Sequence, residues 1–146
     1  MLVVEPMRNT DADPVARLAS RALSEQYDPL WLASHASDST TCLVARDVPT
    51  NRVVGFALAQ TEEACEAHLL ALAVDEQWRG AGIGSTLLSN VRAELARAGA
   101  LKLNLEVRAD DRGAQAFYTR HGFFPEGLES RVYRDGGDAV KMARPL

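Results

Sequence analysis

The stretch LLALAVDEQWRGAGIGSTLL, from Leu69 to Leu88, reads as three things in succession: an apolar strand, a glycine-rich turn and the start of a helix. The strand begins at Ala67 and closes at Val74, while Leu87, Leu88, Val91 and Leu95 recur at helical spacing from Ser85 to Ala98, where Gly99 ends the helix. Between them, Arg79-Gly80-Ala81-Gly82-Ile83-Gly84 places glycine at alternate positions. Glycine reaches backbone conformations closed to other residues and adds no bulk, so consecutive N–H groups can converge on one anion. The helix behind, opening at Ser85, contributes its unpaired first-turn N–H groups and the positive end of its dipole. Phosphate or pyrophosphate suits such a turn, with Arg79 available for a charge-assisted contact. Two familiar phosphate loops fail on spacing. No lysine follows Gly84, as the P-loop requires, and G-x-G-x-G is not the G-x-G-x-x-G of dinucleotide sites.

Working outward, Leu2 to Val4 reads as a short strand. Asp11 or Asp13 then caps a helix with Pro14 at its first position, and Val15, Leu18, Ala19, Ala22 and Leu23 form its apolar face. Pro29 to Ser37 reads as a second, short helix. Thr41 to Arg46 and Val53 to Gln60 make a hairpin across the turn-forming Asp47-Val48-Pro49-Thr50-Asn51. After the long helix, Leu101 to Val107 alternates: Leu101, Leu103, Leu105 and Val107 on one face, Lys102, Asn104, Glu106 and Arg108 on the other. Asp110 or Asp111 caps a short helix running to Arg120, stopped by Gly122. A last hairpin is expected from Arg131–Arg134 and Ala139–Met142, across Asp135-Gly136-Gly137-Asp138. The order β-α-α-β-β-β-α-β-α-β-β predicts a single α/β domain, residues 1–146, whose mixed, mostly antiparallel sheet is flanked by helices.

Composition narrows the function classes. With 146 residues, 47% hydrophobic and 25% charged, the chain suits one globular domain. A net charge of −4 gives no footprint for nucleic acid and leans only weakly toward cationic partners. No apolar run reaches the length of a membrane span, and MLVVEPMRNTDAD has acids where a signal peptide carries basic residues. Cys42 and Cys65 fit neither a zinc nor a redox pattern, and both are expected as reduced, buried thiols of a cytoplasmic protein that holds no metal.

LLALAVDEQWRGAGIGSTLL resembles the acyl-CoA-binding core of the GNAT acetyltransferases, whose signature is Q/R-x-x-G-x-G/A after a strand. Arg79, Gly82 and Gly84 occupy its fixed places. LEVRADDRGAQAFYTRHGFFPEG resembles the family's second block, A-x-x-F/L-Y-x-x-x-G-F, through Ala114, Phe117, Tyr118, Gly122 and Phe123. The resemblance implies a GNAT-like fold with acetyl-CoA as cosubstrate. It implies pyrophosphate held by Arg79, Gly80, Ala81, Gly82, Ile83, Gly84 and Ser85, and the pantetheine arm along Leu72, Ala73 and Val74, with a backbone N–H there for the thioester carbonyl. Asp111 and Ala114 fall at further CoA-contacting places. LEVRA, FY-x-x-x-GF and DAVKM are most similar to the protein N-terminal alanine acetyltransferases that modify a ribosomal protein, which implies Glu106 as proton acceptor and Tyr118 as proton donor to the leaving thiolate. The chain departs from that subgroup: Asp111 replaces asparagine, His68 and Ala71 replace glutamate and asparagine, and of two tyrosines after the GF only Tyr133 remains.

An amine attacks only when neutral. A chain α-amine with a pKa of ~8 is roughly a tenth neutral at pH 7, whereas a lysine at ~10.4 is almost wholly charged. Glu106, on the polar face of its strand, suits a base that assists the former, and His68 is the alternative base. The residues alone leave other roles open: Glu106 as a carboxylate paired with Lys102 or Arg108, Tyr118 as a core tyrosine. Glu62, Glu63 and Glu66 form either a solvated edge or a wall favouring a cationic acceptor, and Tyr27, Trp31 and Trp78 read as core residues. The expected activity is acetyl transfer to a primary amine, with a protein N-terminus ahead of a small-molecule amine or polyamine. A non-catalytic CoA-binding module is the reading from another class. A homodimer through the terminal hairpin stays open.

Overall fold

Residues 1–23, 27–34 and 39–146 are described in the computed structural model. Seven strands form one sheet: β1 (Leu2–Pro6), β2 (Thr40–Asp47), β3 (Arg52–Thr61), β4 (Glu66–Val74), β5 (Lys102–Arg108), β6 (Phe124–Glu129) and β7 (Ala139–Pro145), in the spatial order β1-β2-β3-β4-β5-β7-β6. Every pairing is antiparallel except β4 with β5, as the long helix between those two strands requires of a crossover. The helices are α1 (Ala12–Leu23), α2 (Pro29–Ser34), α3 (Ile83–Arg97) and α4 (Arg112–Arg120).

The sheet is covered on both faces. On one, Leu87, Leu88, Val91 and Leu95 of α3 bury against Leu103, Leu105 and Val107 of β5, with Phe117 and Tyr118 of α4 at the margin. On the other, Val15, Leu18 and Ala19 of α1 meet Val44, Phe56, Leu58, Ala71 and Ala73. Leu87, Leu88 and Leu95 have no exposed surface, so each contributes about 1.5–3 kcal/mol relative to an exposed side chain. Buried Arg46 pins the turn before α1 to the sheet: its guanidinium donates to Asp11 at 2.6 Å and to Glu5 of β1 at 2.8 Å.

Several expectations change. Helix α1 opens two residues before Pro14, which the first turn tolerates because its N–H groups have no intrahelical acceptor. Asp11 instead ends a preceding single turn and accepts the Arg8 N–H at 2.9 Å. Helix α2 covers Pro29–Ser34, and residues 35–37 lie outside the described set. Leu101 precedes β5 and is 68% exposed, so the buried face starts at Leu103. Cys42 is buried as expected, but Cys65 sits exposed in a turn with φ near 60°.

The terminal hairpin is also different. The strand that forms the hairpin with β7 is β6, and Arg131–Arg134 lies in the connection between them. Pro125 and Gly127 disguise β6 as a loop. An edge strand admits both, since its outer side needs no N–H donor, and its register shifts between these two residues.

Candidate active site

The site begins where β4 and β5 part. Their ladder comprises Glu66↔Lys102, Ala67↔Leu103 and His68↔Asn104, although β4 continues to Val74 and β5 to Arg108. A bulge drives the separation. Against β3, Ala71 pairs with Leu58 and Leu69 with Ala59, leaving Leu70 as the extra residue and bending β4. Beyond His68 the backbone groups on the β5 side of β4 have no neighbouring strand among the described residues. This opens a slot that an extended arm can fill in the way an added strand does. The resulting cleft of ≈750 Å³ is lined by Leu69–Leu72 and Leu105–Arg108, by Asp111, Ala114 and Tyr118, by Ala22, Leu23 and Tyr27, and by Val132–Asp135. Arg108 holds that last segment in place, pairing with Asp135 and placing its Cζ 4.4 Å from the Tyr133 ring centre.

At the end of β4, the glycine turn is preformed. Gly80 and Gly82 take φ of 81° and 79°, in the left-handed region, with Gly82 at the N-cap of α3. Thr86 donates its N–H to the Gly82 carbonyl at 3.0 Å, but the six amides from Gly80 to Ser85 find no backbone acceptor among the described residues. Six consecutive N–H groups without a backbone acceptor at a helix start can cradle an anion. Arg79 braces it by donating Nε–H to the Val74 carbonyl at 3.2 Å. Gly84 faces the Phe117 ring of α4, and Ser85 Oγ lies 2.9 Å from His121 Nε2.

Glu106 and His68, weighed as alternatives from the sequence, are brought together. His68 Nε2 lies 2.7 Å from Glu106 Oε2, and His68 Nδ1 lies 3.3 Å from Glu62 Oε1. The three side chains form a line from the cleft to the rim, with Glu62 the most exposed at 45%. Lys102 and Arg108 pair elsewhere, with Glu126 and Asp135. Glu66 accepts from Asn104 at 2.9 Å rather than facing the cleft. Tyr118 lines the same cleft as Glu106, its ring edge-on to Phe117 and Phe123. Burial, and after it the nearby Asp111 charge, pushes its hydroxyl pKa upward, so it keeps its proton beyond the usual tyrosine range. Asp111 caps α4 by accepting the Ala114 N–H at 2.9 Å.

Of the remaining residues singled out, Leu72 lines the cleft, Ala73 is buried against the α1 side of the sheet, and Val74 packs toward α3. Tyr27 stacks on Trp31 and also lines the cleft, and Trp78 packs at the edge of the α3 core. Sequence reasoning passed over the Val132–Asp135 wall, whose only local signal was Tyr133.

Residues 9–123 match the model of the Acetyltransferase (GNAT) family. The chain belongs to that family. It is 31% identical to the N-terminal acetyltransferase A complex catalytic subunit ard1 of Schizosaccharomyces pombe, over 95% of this chain and 82% of the relative. It is 29% identical to an N-alpha-acetyltransferase of Sulfurisphaera tokodaii, over 95% and 90% of the two chains. The crystal structure of the ribosomal-protein-S18-alanine N-acetyltransferase from Escherichia coli superposes with a TM-score of 0.87 at 28% identity, covering 100% of this chain and 94% of that one. GNAT acetyltransferases use acetyl-CoA, and this chain is an acetyl-CoA-dependent N-acetyltransferase. Among the described residues, no helix is long and apolar enough to cross a membrane.

Proposed function

We propose that this GNAT chain acetylates the α-amino group of a protein N-terminus, using Glu106 and His68 as a joined base and Tyr118 as proton donor. One observation carries the reading: the 2.7 Å contact between His68 and Glu106 at the point where β4 and β5 part, in a cleft that Tyr118 also lines. The names of the relatives point the same way for the acceptor, since they are N-alpha and N-terminal acetyltransferases.

The residues present fit acetyl-CoA. The free amides of Gly80–Ser85, with Arg79 beside them, would hold the pyrophosphate, and the open side of β4 at Leu72–Val74, flanked by Asp111 and Ala114, would take the pantetheine arm. When bound, acetyl-CoA supplies the acetyl group as an activated thioester. Glu106 Oε2 is engaged by His68, which leaves Oε1 to accept the proton an α-ammonium must lose. His68 then joins Glu106 to Glu62, a route by which that proton reaches solvent. The Tyr118 hydroxyl, kept protonated, gives its proton to the departing sulfur.

An α-amine needs little help to become neutral, and this modest base suffices for it; a lysine would need far more. The test is release of free CoA with three acceptors: a peptide with a free N-terminus, the same peptide N-blocked but containing lysine, and a polyamine. Turnover with the first alone is expected. Equal or faster turnover with the polyamine would replace the reading by small-amine acetylation.

A further inference from the structure

Three arginines and a histidine gather next to Ser85, the last residue of the glycine turn. Arg92 sits seven residues after Ser85 on α3, hence on the same helical face two turns along. His121, at the C-terminal end of α4, touches Ser85 at 2.9 Å, and Arg120 beside it sets its Cζ 6.0 Å from the Phe117 ring centre. From β7, Arg144 donates to the His121 carbonyl at 2.7 Å and, in contact with the backbone at Gly122, completes the group.

Among the described residues, neither Arg92, Arg120 nor Arg144 pairs with an acid. Arg92 Nε is buried without a hydrogen-bond partner, a costly state for a guanidinium. Like charges gathered without a counterion oppose folding, so the arrangement calls for an anion. His121 answers to the same field: burial, then Arg120, Arg92 and Arg144, draws its pKa down.

We infer that Arg92, Arg120, His121 and Arg144 form a second anion site contiguous with the glycine turn, which takes the 3′-phosphate on the ribose of acetyl-CoA. This rests on the reading above that pyrophosphate occupies the Gly80–Ser85 amides. In coenzyme A the 3′-phosphate lies one ribose from the pyrophosphate, and Ser85 is the residue shared by the turn and the cluster. A dianionic phosphate monoester also matches three arginines better than a single carboxylate does.

The test compares acetyl-CoA with acetyl-3′-dephospho-CoA by calorimetric titration of the full chain. Wild type is expected to bind acetyl-CoA at least about tenfold more tightly, the scale of one charged hydrogen bond. Arg120→Gln, an exposed substitution that leaves the core intact, should narrow this preference. Arg92→Gln combined with it should erase the preference, while affinity for the dephospho form stays at its wild-type value. Equal wild-type affinity for both ligands overturns the inference and leaves the acetyltransferase reading standing. Equal weakening of both ligands by Arg120→Gln also overturns it, because the cluster would then act on the turn. Binding of neither ligand overturns the CoA reading itself, and this inference with it.

Discussion

Gly82→Ala separates backbone conformation from side-chain bulk at the anion cradle. Gly82 has φ 79° and ψ 10°, and a Cβ placed there meets nothing within 4 Å. The cost to the free protein is therefore conformational, about 1–2 kcal/mol for an L-residue held left-handed. At about 2–4 °C per kcal/mol for a domain of this size, the melting temperature falls by a few degrees and the fold persists. The cost to binding is larger. Relief of the strain turns the neighbouring amides away from the anion, and each charge-assisted hydrogen bond lost is worth about 1.5–3 kcal/mol, or ~10–100-fold in Kd. Gly84→Ala is the control. Its Cβ would lie 3.6 Å from Phe117, an ordinary contact, and its φ is not left-handed, so its stability should hold or rise. The assay is titration calorimetry with acetyl-CoA, beside a thermal melt of each free variant. Wild-type affinity in a folded Gly82→Ala protein would refute the claim that this turn cradles the pyrophosphate through its backbone.

Glu106→Gln and His68→Gln should each lower kcat by about 10²–10⁴-fold at unchanged acetyl-CoA affinity, and the double variant should be little worse than either; additive losses in a steady-state double-mutant cycle would mean the two act separately. Tyr118→Phe should slow turnover without weakening cofactor binding, and an unaltered rate would leave Tyr118 as a core residue. Because the folded-state pKa of Tyr118 is raised, its proton is retained to higher pH. The rate should therefore show no falling limb up to the ordinary tyrosine value of ~10, and a limb near or below that value in a kcat profile would contradict the assignment. Cys65 is exposed, whereas burial pushes the Cys42 thiol up to about 12. Native protein at pH 8 should then take up one alkylating label and denatured protein two, which intact-mass measurement reads directly.

Local patterns carried most of the fold. The alternation from Leu103 to Val107, the apolar face of α1 and the glycine turn before α3 each follow from residue spacing. What escaped was long-range. β6 is concealed by Pro125 and Gly127, which a strand accepts only at an edge, and edge position is a property of the finished sheet. His68 and Glu106 could be named but not joined, because the β4–β5 register and the Leu70 bulge arise from pairing with other strands. The same holds for the Val132–Asp135 wall, which Arg108 fixes from β5, and for Arg92 and Arg144, which lie on different elements.

The central claim is transfer of an acetyl group to a chain α-amine. It is tested most directly by incubating the wild-type protein with acetyl-CoA and a peptide bearing both a free N-terminus and an internal lysine, then locating the added mass by fragmentation. The account predicts one acetyl group per peptide, on the N-terminal nitrogen, formed in step with free CoA. Acetyl on the lysine side chain, or no acetylated product at saturating acetyl-CoA with any peptide N-terminus tried, would contradict it.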